Sequence, residues 1–444
     1  MTLARVEVTV PHNPFMGGLR PQVGSHSRSR SRSRQWLVTA GEWAFGLTIA
    51  ICGISLVLHE SSAIWRGPNL RLGVHPSLAP RLIPLVGMLI ATACFVLSTG
   101  GRTFKRPLKR LLPVSVVCLL VLAVLVVGGS VYSRVIDGNP NTFFSLGFVI
   151  LCGPCACWCF ELTPDPARLL RVWMVALAAG TVVVLVSSLA RLFFTMDGGF
   201  TEHFPVVFAL AGLMWFMQPT AGIRVIIGLV VAAVCLLSFK KSGIISFGAM
   251  ALPVVVDACI RRFGATQRTA AILFAMCLSV VVMNAVIFFA LSTSFRSGEH
   301  LFRQYSYDIA WQQFLESPII GQVYTGESAV WNPYYPGERV AVHNDVLDVL
   351  RQGGVVGFIL FAIPMYGSWW FLWCYRKYWK QAPPGLLGGA AAVYGTTVVF
   401  LFNPTLLTPD IAAIVWTMLG CTIWHQGSFR SGIRSQETVT WLHR

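Results

Sequence analysis

Long apolar runs separated by short polar stretches set the pattern of this chain between residues 36 and 425. Each run is close to the roughly 20 residues that a helix needs to cross a bilayer. None shows the short apolar–polar alternation of a closed barrel's strands. In hydrocarbon every backbone N–H and C=O must find a partner inside its own segment, so the runs are predicted to be helices. About twelve are read, near 36–58, 81–98, 111–131, 143–160, 170–190, 204–218, 222–239, 243–260, 269–292, 346–373, 385–402 and 410–425. The expected fold class is all-α: a polytopic membrane protein with about twelve transmembrane helices and one large outside loop.

The pattern divides the chain into a basic disordered tail over 1–35, nine helices over 36–292, a large loop over 293–345, three helices over 346–425 and a tail over 426–444. The loop is too long for a plain connector, and such loops are usually functional or disordered. Its first half, "EHLFRQYSYDIAWQQFLESPIIG", places Leu301, Tyr305, Ile309, Gln312 and Leu315 at helical spacing. That spacing predicts an amphipathic helix lying over the membrane surface, ended by Pro318 and Gly321. A compact section, "VWNPYYPGERVAVHN", then leads back to the membrane.

Composition agrees with this picture. The 444 residues are 55% hydrophobic and 12% charged, with a mean hydropathy of +0.66, which excludes an ordinary soluble domain. Most of the 34 basic residues fall on one side of the predicted spans, in "SHSRSRSRSRQW", "GRTFKRPLKR", "RRFGATQR", "YRKYWK" and the C-terminal tail. The positive-inside rule therefore places both termini in the cytoplasm. The net charge of +16 reads as this topology signal, with the lipid bilayer and not nucleic acid as partner. The apolar run after the tail is too long for a cleavable leader. The twelve cysteines lie in or beside apolar runs; Cys152, Cys155, Cys157 and Cys159 read as small apolar packers rather than metal ligands.

An ionisable group at mid-membrane costs roughly 2.5–3.5 kcal/mol on the insertion scale and usually marks function. The predicted spans are almost free of such groups in their middles, and no chain of buried carboxylates for a proton-coupled transporter can be assembled. Polar groups gather at the outer helix ends instead: Arg191, Lys240, Lys241 and the segment 293–345. A site at the outer membrane–water interface is expected. A transporter or flippase for lipid-linked glycan is the alternative from another class, and it would need an internal repeat or interrupted helices at mid-membrane.

The loop carries a motif series: Arg303-x3-Tyr307, then Pro318-Ile319-Ile320-Gly321, then His343-Asn344-x2-Leu347-x2-Leu350-x3-Gly354-x2-Gly357. In this order it resembles the O-antigen ligase and O-antigen polymerase superfamily, over about 236–360. An upstream Ser-Arg-Gly element of that family stands here as "SFKKSG", with Lys240 or Lys241 in place of arginine, and Tyr307 stands where tryptophan is common. The resemblance implies a GT-C type glycosyltransferase of the bacterial inner membrane. Such an enzyme would move glycan from an undecaprenyl-diphosphate-linked donor to an acceptor hydroxyl at the periplasmic face. The acceptor would be lipid A–core for a ligase, the growing O-antigen or exopolysaccharide for a polymerase, or a protein for an O-oligosaccharyltransferase. The strongly basic balance leans toward the ligase.

Under that resemblance the residue types suit the reaction. A near-neutral imidazole at His343 can take the acceptor proton. Arg303 is the second catalytic candidate, and with Lys240, Lys241 and Arg191 it would neutralise the diphosphate. Lysine keeps the charge but loses the bidentate fork. Asn344 and Asp345 would orient or bind substrate, with Asp348 nearby. Leu347, Leu350, Gly354, Gly357, Pro318 and Gly321 are read as structural, the leucines and glycines forming one helix face for close helix approach. The first outside loop, "HESSAIWRGPNLRLGVHPS", offers Glu60 but no acidic pair, so metal-independent catalysis without a cofactor is expected.

Overall fold

The computed structural model describes residues 25–65, 78–100, 108–137, 143–195, 204–217, 221–237, 246–251, 253–254, 256–257, 298–325, 329–331, 339–342, 344–401, 406 and 409–442. In chain order the elements begin with α1 (Ser25–Trp65), α2 (Leu78–Ser98), α3 (Leu108–Leu111), α4 (Val114–Asp137) and α5 (Phe143–Ile150). Next come α6 (Cys152–Leu162), α7 (Pro166–Thr195), α8 (Phe204–Met217) and α9 (Ala221–Leu237). Further helical residues lie between 246 and 257. They are followed by α10 (Gly298–Glu316), the strands β1 (Ala329–Trp331) and β2 (Arg339–Ala341), and α11 (Asp345–Cys374). A 3-10 turn (Arg376–Gln381), α12 (Pro384–Phe400) and α13 (Pro409–Leu442) complete the order.

Among the described residues, four stretches are long and apolar enough to cross a membrane: Ser33–Ile54 in α1, Val114–Ser133 in α4, Pro166–Val183 in α7, and α11. Shorter apolar helices cover Leu82–Ser98, Leu146–Leu162, Val206–Phe216 and Gly222–Val231. The helical fold class therefore stands, and the expected twelve spans are matched in part; the run 269–292 lies outside the described residues. The run 143–160 is one apolar stretch in which α5 continues through Leu151, whose backbone is right-handed, into α6, and Pro154 only removes one intrahelical N–H. One expectation needs correction. The fold also carries a two-stranded antiparallel ribbon, pairing Ala329 with Ala341 and Trp331 with Arg339. Three-residue strands are too short for period two to show in the sequence.

Between apolar helices in lipid the drive to associate comes from close packing, and small residues make that possible. Gly46 of α1 abuts Val172 of α7, and seven residues on, a Cβ at Gly53 would lie 2.8 Å from the Gly180 Cα. These paired contacts make α1 and α7 parallel. Gly212 of α8 faces Gly388 of α12 and Phe208 faces Gly395, an antiparallel pair. Gly153 of α6 meets the Trp416 carbonyl while Gly420 of α13 meets Cys157, again parallel. At the centre, α6 is buried on every side, and Cys152, Cys155, Cys157 and Cys159 are all buried packers within the main core. Trp424 donates its indole N–H to Glu161 at 3.1 Å, and Trp158 to the Leu111 carbonyl at 2.7 Å.

Candidate functional site

The helix α10 forms where the loop's periodicity predicts it, but its protein-facing side differs from the apolar stripe. Ser306 and Ala310 are fully buried and Phe314 nearly so, whereas Tyr305, Gln312 and Leu315 of the stripe are exposed. In apolar surroundings the polarity pattern does not say which side meets the protein, and small residues mark the packed face. Here Ala310 contacts Val342, with Tyr307, Ile309 and Leu347 around them. Tyr307 thus stands beside the residue that precedes His343, and Arg303 is one helical turn before Tyr307 on the same side of α10. At this cluster α10 meets the chain that leads into α11.

Beyond Val342 the chain enters α11 through a side-chain cap. Asn344 has extended backbone, and its Oδ1 accepts the Leu347 N–H at 2.9 Å, which satisfies one of the open donors of the first turn. Asp345 and Asp348 add negative charge where the helix dipole favours it. Both are buried and committed to protein contacts. Asp345 Oδ2 accepts the Leu406 N–H at 3.0 Å, fastening the α12–α13 connection to the start of α11. Asp348 pairs with Arg351, whose Nε donates at 3.0 Å and whose second guanidinium arm reaches Gln313 Oε1 of α10 at 3.1 Å. Arg351 is among the largest fully buried side chains, so α10 and α11 are clamped through a desolvated charge.

Ahead of that clamp the helix itself is interrupted. Gly354 has φ 58° and ψ −161°, and α11 is two helical segments joined at this point. An unbroken helix would bond Val355 N–H to Arg351 C=O and Val356 N–H to Gln352 C=O. Instead Val355 donates to the Pro318 carbonyl at 2.8 Å and Val356 to the Ile319 carbonyl at 3.0 Å. The freed carbonyls of Arg351 and Gln352 accept from Gln322 and Tyr324, each at 3.1 Å. The turn after α10 is thus spliced into the gap, and four backbone bonds replace two. Left open, each buried group would cost about 1–3 kcal/mol.

Two glycines make the splice geometrically possible. A Cβ at Gly321, itself at φ 61°, would fall 2.5 Å from the Gly354 N. One at Gly354 would run into the Ile319 carbonyl group. The turn is pressed from its other side by α4, where the Val323 carbonyl lies against Gly129. Val323 and Tyr324 also hold left-handed backbone, at φ 51° and 58°, which costs about 1–3 kcal/mol each and persists because the surroundings fix it.

The glycine face of α11 therefore receives a turn and a tyrosine ring, not another helix. The Tyr324 hydroxyl occupies the space that a Cβ on Gly353 or Gly357 would need. Burial, reinforced by the Asp348 carboxylate, pushes that phenol well above its usual range, so it stays protonated. Beside it a cavity of about 50 Å³ lies between α4, α5, α11 and α13, with Asp345, Asp348 and Tyr324 on its polar side and Leu122, Phe361 and Trp416 opposite. That volume holds a water molecule or two, not a sugar.

His343, Lys240 and Lys241 lie outside the described residues. Arg303 is carried on α10 and Arg191 on α7, with their side chains outside the described set. Among the described residues no group of three or more His, Cys, Asp or Glu is placed to hold a metal ion. Sequence reasoning passed over Gln313, Tyr324 and Gln352, and it gave Arg351 no role. The i,i+3 spacing of Asp348 and Arg351 was a legible signal for their pairing. Nothing local could have announced the partner on α10.

Residues 204–362 match the family model described as O-antigen ligase. The match takes in Lys240, Lys241, Arg303, the Pro318–Gly321 turn and the whole stretch from His343 to Gly357, and it excludes Arg191. A comparison with curated proteins finds no match to the chain. The match, with the apolar helices, supports an integral membrane protein that transfers glycan in the manner of O-antigen ligases and polymerases.

Proposed function

With an O-antigen ligase domain over residues 204–362 as the premise, we propose that this chain is a metal-independent GT-C type transferase of the bacterial inner membrane. It takes glycan from an undecaprenyl-diphosphate-linked donor and joins it to an acceptor hydroxyl, that of lipid A–core, at the periplasmic face. In this reading His343 accepts the hydroxyl proton while the acceptor oxygen bonds to the anomeric carbon. The bond from that carbon to the diphosphate breaks, and the diphosphate departs with the electron pair. Arg303, with Lys240 or Lys241, bears the developing charge.

One observation carries the reading: α10 and the start of α11 are locked together by the Ala310–Val342 contact, the Arg351–Gln313 bond and the spliced turn. A general base and a diphosphate clamp on separate elements need such a frame, since misplacement by about 1 Å can cost 100-fold. Asn344 and Asp345 serve that frame through their bonds to Leu347 and Leu406, and the base in this proposal is His343.

The test is transfer by purified protein in vesicles, with lipid-linked donor and lipid A–core supplied. His343→Ala should lower the rate at least about 100-fold, the usual worth of a general base, with membrane insertion unchanged. Unchanged transfer by this variant would remove the proposed base. In a deletion strain, carrier-linked polymer should accumulate; single repeat units would point to a polymerase instead.

A further inference from the structure

A second binding feature lies away from the α10–α11 junction, at the end of the bundle where α1 begins. Between the parallel helices α1 and α7 runs an open groove of about 540 Å³. Its walls are Trp43, Leu47, Val172 and Val175, and its floor is kept low by Gly46, Ala50, Ala176 and Ala179. Both helices have membrane-crossing length and hydropathy over this stretch, Ser33–Ile54 and Pro166–Val183, so the groove opens sideways toward acyl chains. It extends from the level of Glu42 and Arg168 to that of Ala50 and Ala179, roughly 12–16 Å at 1.5 Å per residue. About ten methylenes of one extended chain would fill it.

The charged groups stand at one end. Arg168 Nε pairs with the buried Glu42 at 3.0 Å, while about half of the arginine side chain stays exposed. Arg171, one turn further along α7, is exposed, and among the described residues its hydrogen bonding is a single long contact of 3.4 Å to the Ala167 carbonyl. Asp165 caps the helix by accepting the Arg168 N–H at 3.0 Å, and its carboxylate lies near enough to act on Glu42. Among the groups that line the groove, the exposed charges are therefore the two guanidiniums, while the Glu42 carboxylate is covered. Trp43, exposed at the same level, supplies an aromatic edge of the kind that settles at the headgroup boundary.

We propose that the α1–α7 groove is a binding site for one glycerophospholipid with an anionic headgroup, its phosphate on Arg171 and the free face of Arg168, and one acyl chain over the glycine–alanine floor. Arginine suits this role because its planar fork grips phosphate oxygens in pairs. Glu42 is buried beside Arg168 and so is not exposed to a headgroup ammonium, while the exposed charges of the lining are cationic, which sets the preference against zwitterionic lipid. The site stands apart from the glycan chemistry, and its test reads no transfer activity.

The experiment is native mass spectrometry of the purified full chain after exchange with vesicles of equal palmitoyl-oleoyl phosphatidylglycerol and palmitoyl-oleoyl phosphatidylcholine. The protein should retain a single phosphatidylglycerol with at least fivefold preference. Arg171→Gln should reduce that preference to within twofold. Ala179→Leu, which fills the floor at an exposed position, should lower retention of both lipids while the bundle stays folded by thermal melt. Equal retention of the two lipids by the parent chain overturns the proposal, as does unchanged preference in both variants. Displacement of the lipid by 1 mM inorganic phosphate also overturns it, because a site for bare phosphate would not need the groove.

Discussion

The interior around α6 and the junction of α10 with α11 are both buried, yet they satisfy the chain in opposite ways. Around α6 the helical bonding runs on through Leu151, and thiols and small residues pack with the rings of Phe45, Phe160 and Trp173. At the junction the helical ladder is opened at Gly354, a distant turn completes it, and an ion pair is held out of water. Packing in the first region tolerates any residue of the right size. The second depends on particular atoms of residues some thirty positions apart in sequence. A protein that needed α11 only as a membrane anchor would gain nothing from the second arrangement, so the expense belongs to what the junction holds in place.

The contrast can be broken most directly at Gly354. Gly354→Ala should unfold the junction, with a loss above about 3 kcal/mol from strain and lost bonds together, whereas Gly432→Ala on the open face of α13, with nothing within 4 Å, should raise or hold stability. Thermal melts in detergent compare the two; a Gly354→Ala protein as stable as its parent would sink the splice.

Next in size, Arg351→Met leaves Asp348 buried without its cation and should cost about 3–5 kcal/mol. Arg351→Met with Asp348→Leu should recover most of the loss in stability but not in transfer rate, since Gln313 stays uncoupled from α11. Full recovery of transfer would confine the ion pair to stability.

On the α6 side effects should be small: Cys157→Ala removes one packed sulfur and should cost about 1 kcal/mol with transfer unchanged. A larger loss, or a changed rate, would make the cysteine row more than filler. The least effect is expected from chelation: 5 mM EDTA should leave the transfer rate within twofold, and abolished transfer would overturn the metal-independent reading.

What was legible in the sequence divides along the same line. The helices could be read because a bilayer lets the chain satisfy its backbone in few ways, and α10 could be read from its period. Asn344 is read for substrate, and the cap it forms on the Leu347 N–H was not read from the sequence. The break at Gly354 was not legible: a glycine pair in an apolar run reads equally as close approach or as interruption, and only Pro318 to Tyr324 decides between them. The face of α10 failed for another reason. Tyr305 and Leu315 point away from the protein because apolar groups gain little by turning inward when the surroundings are apolar too.

The splice also makes α11 a segment that cannot stand alone in its bent form. With its ladder open at Gly354, the amides of Val355 and Val356 and the carbonyls of Arg351 and Gln352 depend on the turn 318–324, and without it they would be left unpaired in surroundings that offer no water. The bent helix and the turn are therefore one structural unit, and neither keeps its backbone bonds without the other.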